Sequence, residues 1–137
     1  MTDTREMLEA SPAEIPPDLD RVAAAIDACL TCMQTCTSCA DFDLAEKDVA
    51  GMSTCIALCV ECADLCALLA RSLSRAAHWD QVVIHRLLKA CVRTCTGSAD
   101  ECTRHASHHR HCAICAEACS ACARACSDLL EDDAFRG

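Results

Sequence analysis

The chain has 137 residues, the size of one domain, and it carries 16 cysteines, a net charge of −9, and three glycines and three prolines. This cysteine content is typical of secreted disulfide scaffolds, but such scaffolds are rich in loops, whereas scarce turn formers and abundant alanine predict helices here. The negative charge argues against a nucleic-acid-binding face and suits a protein that handles cations. The N-terminus resembles no export signal and no run of about 18 apolar residues occurs, so we expect a cytoplasmic protein without a membrane span.

The predicted elements are all helical. Three prolines make residues 1–17 an N-terminal arm that is flexible or holds a short helix. Residues 18–131 form a single domain, with Asp18 and Asp80 as candidate N-caps, and residues 132–137 form a frayed tail. The helices are expected at about 18–41, 48–76, 81–103 and 110–131. Their lengths and short connections predict an all-α, antiparallel up-down-up-down four-helix bundle with a cysteine-lined core.

The cysteines follow a helical repeat in which neighbours are three or four residues apart. This spacing is the inward-facing stripe of a bundle helix, so cysteine replaces the usual leucine and isoleucine on four inner faces. Ser98 stands at one position of the stripe where a thiol is expected. The cysteines are Cys29, Cys32, Cys36 and Cys39; Cys55, Cys59, Cys62 and Cys66; Cys91, Cys95 and Cys102; and Cys112, Cys115, Cys119, Cys122 and Cys126.

The two ends of the predicted bundle differ. At one end, called the apolar end, the stripes continue with Val22, Ile26, Leu69, Leu73, Ile84, Leu87, Leu129 and Leu130. At the other, called the polar end, two loops at 41–48 and 104–111 bring Asp41, Asp43, Asp48, His105, His108, His109 and His111, and Met52 lies on the stripe before Cys55. The asymmetry predicts a thiol-filled tube with one open end.

Several interpretations of the thiols fit poorly. Thiols used merely as packing would give up much of the transfer free energy that leucine provides. Disulfides within a helix are strained, since residues three or four apart have Cβ atoms about 5–6 Å apart. Iron–sulfur clusters need four thiolates converging on one point, and a di-iron bundle needs Glu-x-x-His pairs that are missing here. A cysteine nucleophile needs one activated thiol beside a histidine, not sixteen similar ones.

A store of soft metal ions remains. Thiolates select Cu(I), with zinc as the competitor. Sixteen bare thiolates in a core of low dielectric would be prohibitive, but a thiol that loses a proton and gains a monovalent ion leaves the charge unchanged. Divalent zinc gives no such balance at one ion per thiol or at one per four. The charge argument therefore predicts on the order of 16 Cu(I) ions per chain.

The cysteine pattern resembles that of the copper storage proteins, a family of cysteine-rich four-helix bundles. The matching motifs are CxxCxxxCxxC at 29–39, CxxxCxxCxxxC at 55–66, CxxxC at 91–95, and, after a His-rich loop, CxxCxxxCxxCxxxC at 112–126. The resemblance implies a homotetramer whose inner thiols bind many Cu(I) ions and whose His/Met end admits copper. The missing twin-arginine signal implies the cytosolic branch. Ser98 departs from the pattern and predicts a local gap.

The sequence thus predicts a non-enzymatic, cytosolic Cu(I) store with all sixteen cysteines as ligands. His105, His108, His109, His111 and Met52 are candidate uptake ligands at the polar end. A homo-oligomer, with a tetramer expected, and a copper chaperone as candidate donor are the predicted partners, with no nucleic acid and no membrane. Two alternatives stay open: a general metallothionein-like buffer of zinc and copper, and a structural protein that responds to redox through disulfides between helices.

Overall fold

The computed structural model describes residues 3–135, and over this range the chain forms helices and turns without a β-strand. The five α-helices are α1 (Thr4–Glu9), α2 (Leu19–Ala45), α3 (Ser53–Ser74), α4 (Gln81–His105) and α5 (Arg110–Leu130). Short 3₁₀ helices cover Val49–Met52, Ala76–His78 and Asp133–Phe135. The predicted all-α class is confirmed. The arm contains the short helix α1, whose Leu8 is buried.

Aspartate side chains cap the helices where the sequence predicts them to begin. Asp18 accepts a hydrogen bond from the backbone N–H of Asp20 at 2.8 Å. Asp80 accepts from the N–H groups of Val82 and Val83 at 3.0 and 3.2 Å. These bonds satisfy N–H groups that have no partner inside the helix, which fixes the starts of α2 and α4.

Two helix boundaries differ from the prediction. Helix α2 continues four residues beyond 41, because Asp43 lies four residues after Cys39 and so extends the inward-facing stripe. Helix α3 begins at Ser53 and not near 48, since Gly51 closes a 3₁₀ turn on the carbonyl of Asp48 at 2.9 Å. Glycine is a weak α-helix former, so the tighter turn is favoured there.

The long helices pack around a shared core. Helix α2 contacts α3 and α5, helix α4 contacts the same two helices, and α1 lies on α2. The core holds all the cysteines and the buried apolar side chains in one continuous cluster. Helices α2–α5 therefore surround the thiols from all sides.

The apolar end is packed as predicted at six of the eight positions. Val22, Ile26, Leu69, Leu73, Ile84 and Leu129 are at most 3% exposed. Leu87 and Leu130 are only partly buried, and Leu88 is fully buried instead of Leu87. Leu88 lies three residues before Cys91 and four after Ile84, so it keeps the same face of α4.

The C-terminal segment differs from the frayed tail that we expected for 132–137. Residues Asp133–Phe135 form a 3₁₀ turn, and Phe135 is buried against Trp79 with ring centroids 5.8 Å apart. The indole N–H of Trp79 donates to the carbonyl of Ser72 at 3.0 Å, which fastens the turn between α3 and α4. The aromatic pair explains the order, because burial of Phe135 against the partly buried Trp79 ring offsets the entropy lost by a short tail. Residues 136 and 137 lie outside the described residues.

Two segments, Leu19–Ala45 and Val49–Ser74, are long and apolar enough to cross a membrane by length and composition alone. Each contributes four cysteines to the core, and free cysteine behaves as a small hydrophobic residue. Core helices of soluble proteins pass the same test. The expectation of no membrane span stays a prediction.

The buried apolar end should carry much of the stability of the metal-free protein. We expect Leu73→Ala, at a fully buried position, to lower the free energy of unfolding by about 2–5 kcal/mol, since it removes apolar contacts and leaves a cavity. Leu68→Ala on the same helix is the matched control, because Leu68 is 46% exposed and its truncation should cost about 0.5 kcal/mol or less. Urea unfolding of reduced, metal-free protein measures both, and equal losses would contradict a packed apolar end.

Candidate metal site

All sixteen cysteines lie inside the helical core. Each is at most 1% exposed, and all are free thiols. The three- and four-residue spacing is the reason, since it keeps the side chains on one face of each helix and the four faces meet in the core. Every cysteine that the sequence places on a stripe is buried. We call this set of sixteen the thiol column.

Sulfur atoms of facing helices touch along the thiol column. Between α2 and α5 the pairs are Cys29–Cys122 at 3.7 Å, Cys32–Cys119 at 3.8 Å, Cys36–Cys115 at 3.6 Å and Cys39–Cys112 at 3.9 Å. Between α3 and α4 they are Cys55–Cys102 at 3.8 Å, Cys62–Cys95 at 3.6 Å and Cys66–Cys95 at 3.7 Å. Along α2 from Cys29 to Cys39, the partner on α5 moves back from Cys122 to Cys112. Along α3 from Cys55 to Cys66, the partner on α4 likewise moves back from Cys102 to Cys95.

Some thiols converge in groups that a single ion could bind. In each group the sulfur atoms lie within 4.8 Å of one another. The groups include Cys32/Cys36/Cys62/Cys119, Cys32/Cys66/Cys95/Cys122, Cys39/Cys59/Cys102/Cys115 and Cys29/Cys122/Cys126. Cys32 and Cys122 each belong to two of these groups, so an ion in one group can share a sulfur with an ion in the next. The arrangement suits a chain of linked ions better than isolated ones.

A group of different composition closes the column at the polar end. His111 Nδ1 lies 3.4 Å from Cys39 Sγ and 3.6 Å from Cys112 Sγ, and Cys112 Sγ lies 3.6 Å from Asp43 Oδ1. These four side chains offer one ligand atom each within 4.8 Å. Among the described residues, Asp43 Oδ2 and His111 Nε2 are buried polar atoms without a hydrogen-bond partner. Such orphaned atoms are costly in a core, and together with the four converging ligand atoms they make this group a candidate site for a cation.

Burial sets the protonation of this polar group. Burial raises the pKa of the Asp43 carboxyl above its usual range. Burial, and secondly the negative charge of Asp43, raise the pKa of the Cys112 thiol to about 12. Cys112 is therefore a neutral thiol at pH 7 when no metal is bound, and a metal ion that binds its sulfur must displace a proton.

The structure separates the four histidines that the sequence proposes for metal uptake. His111 contacts thiols, as above. His109 pairs with Glu46 and lies 3.3 Å from Asp48, so both of its ring nitrogens face carboxylates, and its hydrogen bond lowers the pKa of Asp48. His109 also stacks on His111 with centroids 5.6 Å apart. His109 therefore lies beside the site and packs against the ring of His111.

The remaining candidates lie elsewhere. His105 Nε2 is 3.0 Å from Glu101 Oε2 on the same helix, and His108 is exposed. Met52 is fully buried just before α3, at the polar end where its spacing from Cys55 puts it. Asp43 was predicted in a loop and is in fact on the last turn of α2. Its four-residue distance from Cys39 was the sequence signal for that position.

Comparison with known proteins identifies relatives that share this architecture. The sequence model of the copper storage protein family, Csp, matches residues 18–131. A structure of the copper storage protein Ccsp from Streptomyces lividans, loaded with 10 copper equivalents, superposes with a TM-score of 0.91 at 42% identity, covering 93% of this chain and 97% of that one.

Two further copper storage protein structures superpose on this chain. One shows copper loading to a cytosolic copper storage protein from the same organism, with five coppers, a TM-score of 0.79 and 45% identity, over 81% of this chain and 92% of that one. The other is the Cu(I)-bound copper storage protein BsCsp3, with a TM-score of 0.71 and 33% identity, over 80% of this chain and 97% of that one. The family match covers every cysteine of the thiol column. The chain belongs to the copper storage protein family.

Proposed function

We propose that this protein stores Cu(I), with the thiols of the column as ligands. The observation that carries the proposal is the continuous set of sixteen buried thiols, closed by hydrocarbon at one end and by a mixed thiol, carboxylate and imidazole group at the other. Thiolate ligands select soft ions such as Cu(I). Copper-loaded relatives of the same fold support this choice of ion. The protein acts as a store and not as an enzyme.

Charge neutrality favours a monovalent ion. The groups of four thiols have spacings that would also suit tetrahedral zinc, for which bonds of about 2.3 Å put the sulfurs roughly 3.8 Å apart. Geometry therefore does not separate the two metals. One Cu(I) per thiol leaves the column neutral when each thiol releases its proton, whereas zinc leaves a surplus of one sign at either ratio.

The finer fold is part of the proposal. Helices α2–α5, within residues 18–131, form an antiparallel up-down-up-down four-helix bundle, and α1 and the Asp133–Phe135 turn pack on its outside. The sulfur contacts support this arrangement, since α2 meets α5 with opposite residue order. The same holds for α3 and α4. Consecutive helices joined by connections of a few residues are normally antiparallel.

Copper enters at the polar end. Cys39, Asp43, His111 and Cys112 form the first binding group, because this group lies between the buried thiols and the end where Asp48 is exposed to solvent. From there the ion passes inward to Cys59, Cys102 and Cys115, which form a group with the same Cys39. In each transfer the receiving thiol passes its proton to the sulfur that the ion leaves (RS–Cu + R′SH → RSH + R′S–Cu), so no charge is left unpaired on the way.

The proposal extends to the location and the oligomeric state of the protein. A cytosolic protein is supported by the Streptomyces lividans relative that is described as cytosolic. A homotetramer with a copper chaperone as donor is our proposal for its partners. Exposed apolar side chains on several helices support self-association, among them Leu30, Val60, Leu68, Val82 and Ile114.

The stoichiometry tests the proposal directly. We expect anaerobic titration of the reduced protein with Cu(I), against a competing chelator, to saturate at on the order of 16 ions per chain. About one proton should be released per ion, because the cost of removing a charge from water favours the neutral thiol until a metal ion binds. A parallel titration with zinc serves as the comparison. Saturation near about four zinc ions with weak copper uptake would contradict the store and favour a general metal buffer.

His111 should govern the rate of uptake more than the capacity. We expect His111→Ala to slow the initial transfer of Cu(I) from a chelator by on the order of tenfold, which corresponds to a barrier about 1.4 kcal/mol higher. The final number of ions should stay nearly unchanged, because the thiols remain. His108→Ala is the matched control, since His108 is exposed in the turn just before α5. Equal rates for the two variants would remove His111 from the uptake site.

The metal-free protein should show the cost of burying Asp43. Because burial raises the pKa of Asp43, the native state holds the proton more tightly than the unfolded chain does. Its contribution therefore stabilises the fold at acid pH and is lost as pH rises from about 4 through the pKa of the native state. Asp43→Asn removes this loss, so its stability relative to wild type should increase between pH 4 and pH 7.

Urea unfolding of reduced, metal-free protein at both pH values measures this difference. Asp41→Asn, an exposed carboxylate on the same helix, is the control and should give a difference that does not change with pH. A stability difference for Asp43→Asn that is equally independent of pH would show that the carboxyl is not held in a buried environment.

A further inference from the structure

Ser98 replaces a thiol in the middle of the column. It lies on the inner face of α4, three residues after Cys95 and four before Cys102, and it is fully buried. Its hydroxyl oxygen is 3.4 Å from Cys119 Sγ and 3.9 Å from Cys59 Sγ. The side chain therefore occupies a position inside the store, between sulfurs of α3 and α5.

Helix α4 consequently offers no sulfur over two helical turns. Cys95 and Cys102 are seven residues apart, which is roughly 10 Å along the helix. On the polar side of the gap, Cys102 contacts Cys55 and Cys59, at 3.8 and 3.7 Å. On the apolar side, Cys95 contacts Cys62 and Cys66. Ser98 thus interrupts the wall of the column that α3 and α4 share.

The wall formed by α2 and α5 has no such interruption. Cys36 Sγ lies 3.6 Å from Cys115 and 3.4 Å from Cys119. Cys32 Sγ continues the series at 3.8 Å from both Cys36 and Cys119. Contacts between neighbouring sulfurs therefore lead across the middle of the column on this side.

The chemistry of a hydroxyl fits a residue that neighbours the ions without binding them. A neutral hydroxyl is a hard donor and a poor ligand for Cu(I), which prefers thiolates. In the metal-free protein the Cys119 thiol donates to the Ser98 oxygen. When Cu(I) binds, the thiol releases its proton to solvent (RSH + Cu⁺ → RS–Cu + H⁺), and the hydroxyl can rotate and donate to the sulfur. A hydroxyl serves as acceptor and donor in turn, so it stays satisfied in both states.

We propose that Ser98 is a positioning residue that divides the store into two sets, which exchange copper through Cys36 and Cys119. The outer set contains Cys39, Cys55, Cys59, Cys102, Cys112 and Cys115. The inner set contains Cys29, Cys32, Cys62, Cys66, Cys91, Cys95, Cys122 and Cys126. The inference rests on the proposed Cu(I) store filled from the polar end. It adds that the outer set fills first and the inner set fills after passage through these two thiols.

Closing the gap tests the role of Ser98. In the wild type we expect Cu(I) transfer from a coloured chelator to show a slow phase, in which the inner set fills through Cys36 and Cys119. Ser98→Cys should bind one further Cu(I) per chain and should abolish this slow phase, because the outer and inner sets become joined on both walls. Anomalous diffraction at the copper edge should place an ion between residues 98, 59 and 119. Ser98→Ala should keep both the capacity and the slow phase, because it adds no ligand.

A matched control adds a thiol beside the column. Gly97→Cys places one on the same turn of α4, where an added Cβ meets no atom within 4 Å, and should leave the slow phase unchanged. If Ser98→Cys folds with normal helicity and binds copper like the wild type, with neither the further ion nor the loss of the slow phase, the division is wrong. That result would leave the store itself intact, whereas a wild-type protein that fails to take up many Cu(I) ions would overturn the store as well.

Removing Cys36 and Cys119 tests whether copper passes between the two sets through these thiols, and this test does not depend on the folding of Ser98→Cys. Within the time that the wild type needs to fill, Cys36→Ser combined with Cys119→Ser should load the outer set and leave the inner set empty in the anomalous map. Cys91→Ser combined with Cys126→Ser removes the same number of thiols at the apolar end and should lose only the ions bound there. Equal capacities for the two double variants would show that copper crosses the middle by another route and would overturn the proposal.

Discussion

The rest of the structure depends on burying sixteen thiols without burying charge. A neutral thiol is a small apolar side chain and can fill a helical core, while a thiolate in the same place is a charge removed from water. Burial raises the pKa of the Cys112 thiol to about 12, which keeps this thiol neutral in the metal-free protein. Exchange of a proton for a monovalent ion keeps this balance, so the same helices can surround an empty or a filled column.

The two ends follow from that constraint. A core of thiols gives up transfer free energy compared with leucine, and the fold needs apolar packing elsewhere. Leu69, Leu73, Leu88 and Leu129 provide it at one end, and the Trp79–Phe135 contact closes that end from outside. The opposite end is left to polar side chains, where Asp43 and His111 each carry a buried polar atom without a partner. The apolar packing and the proposed uptake site thereby lie at opposite ends of one column.

Ser98 shows how a single atom can shape such a column. Replacing sulfur with oxygen keeps the size and burial of the side chain nearly the same and removes a ligand for soft metals. The contacts of Ser98 with Cys59 and Cys119 keep it inside the metal-binding region. The packing therefore accommodates serine in place of cysteine, while the series of sulfur contacts between α3 and α4 is interrupted.

The sequence by itself determined the helical class, the inward stripe and the burial of every cysteine, because a spacing of three and four residues fixes one face of a helix whatever its neighbours are. It also placed the caps at Asp18 and Asp80. The sequence prediction was wrong at Leu87, since the next residue, Leu88, is the one that faces inward. It was also wrong at the end of α2, where Asp43 continues the stripe. Only the tertiary structure decided that His111 meets Cys39 and Cys112 while His109 turns to Glu46 and Asp48. Histidines this close in the sequence give the same composition and spacing signals, and although 104–111 was predicted as a loop, His111 lies on α5 and His109 just before it. Their contacts depend on which side chains the other helices bring to that end.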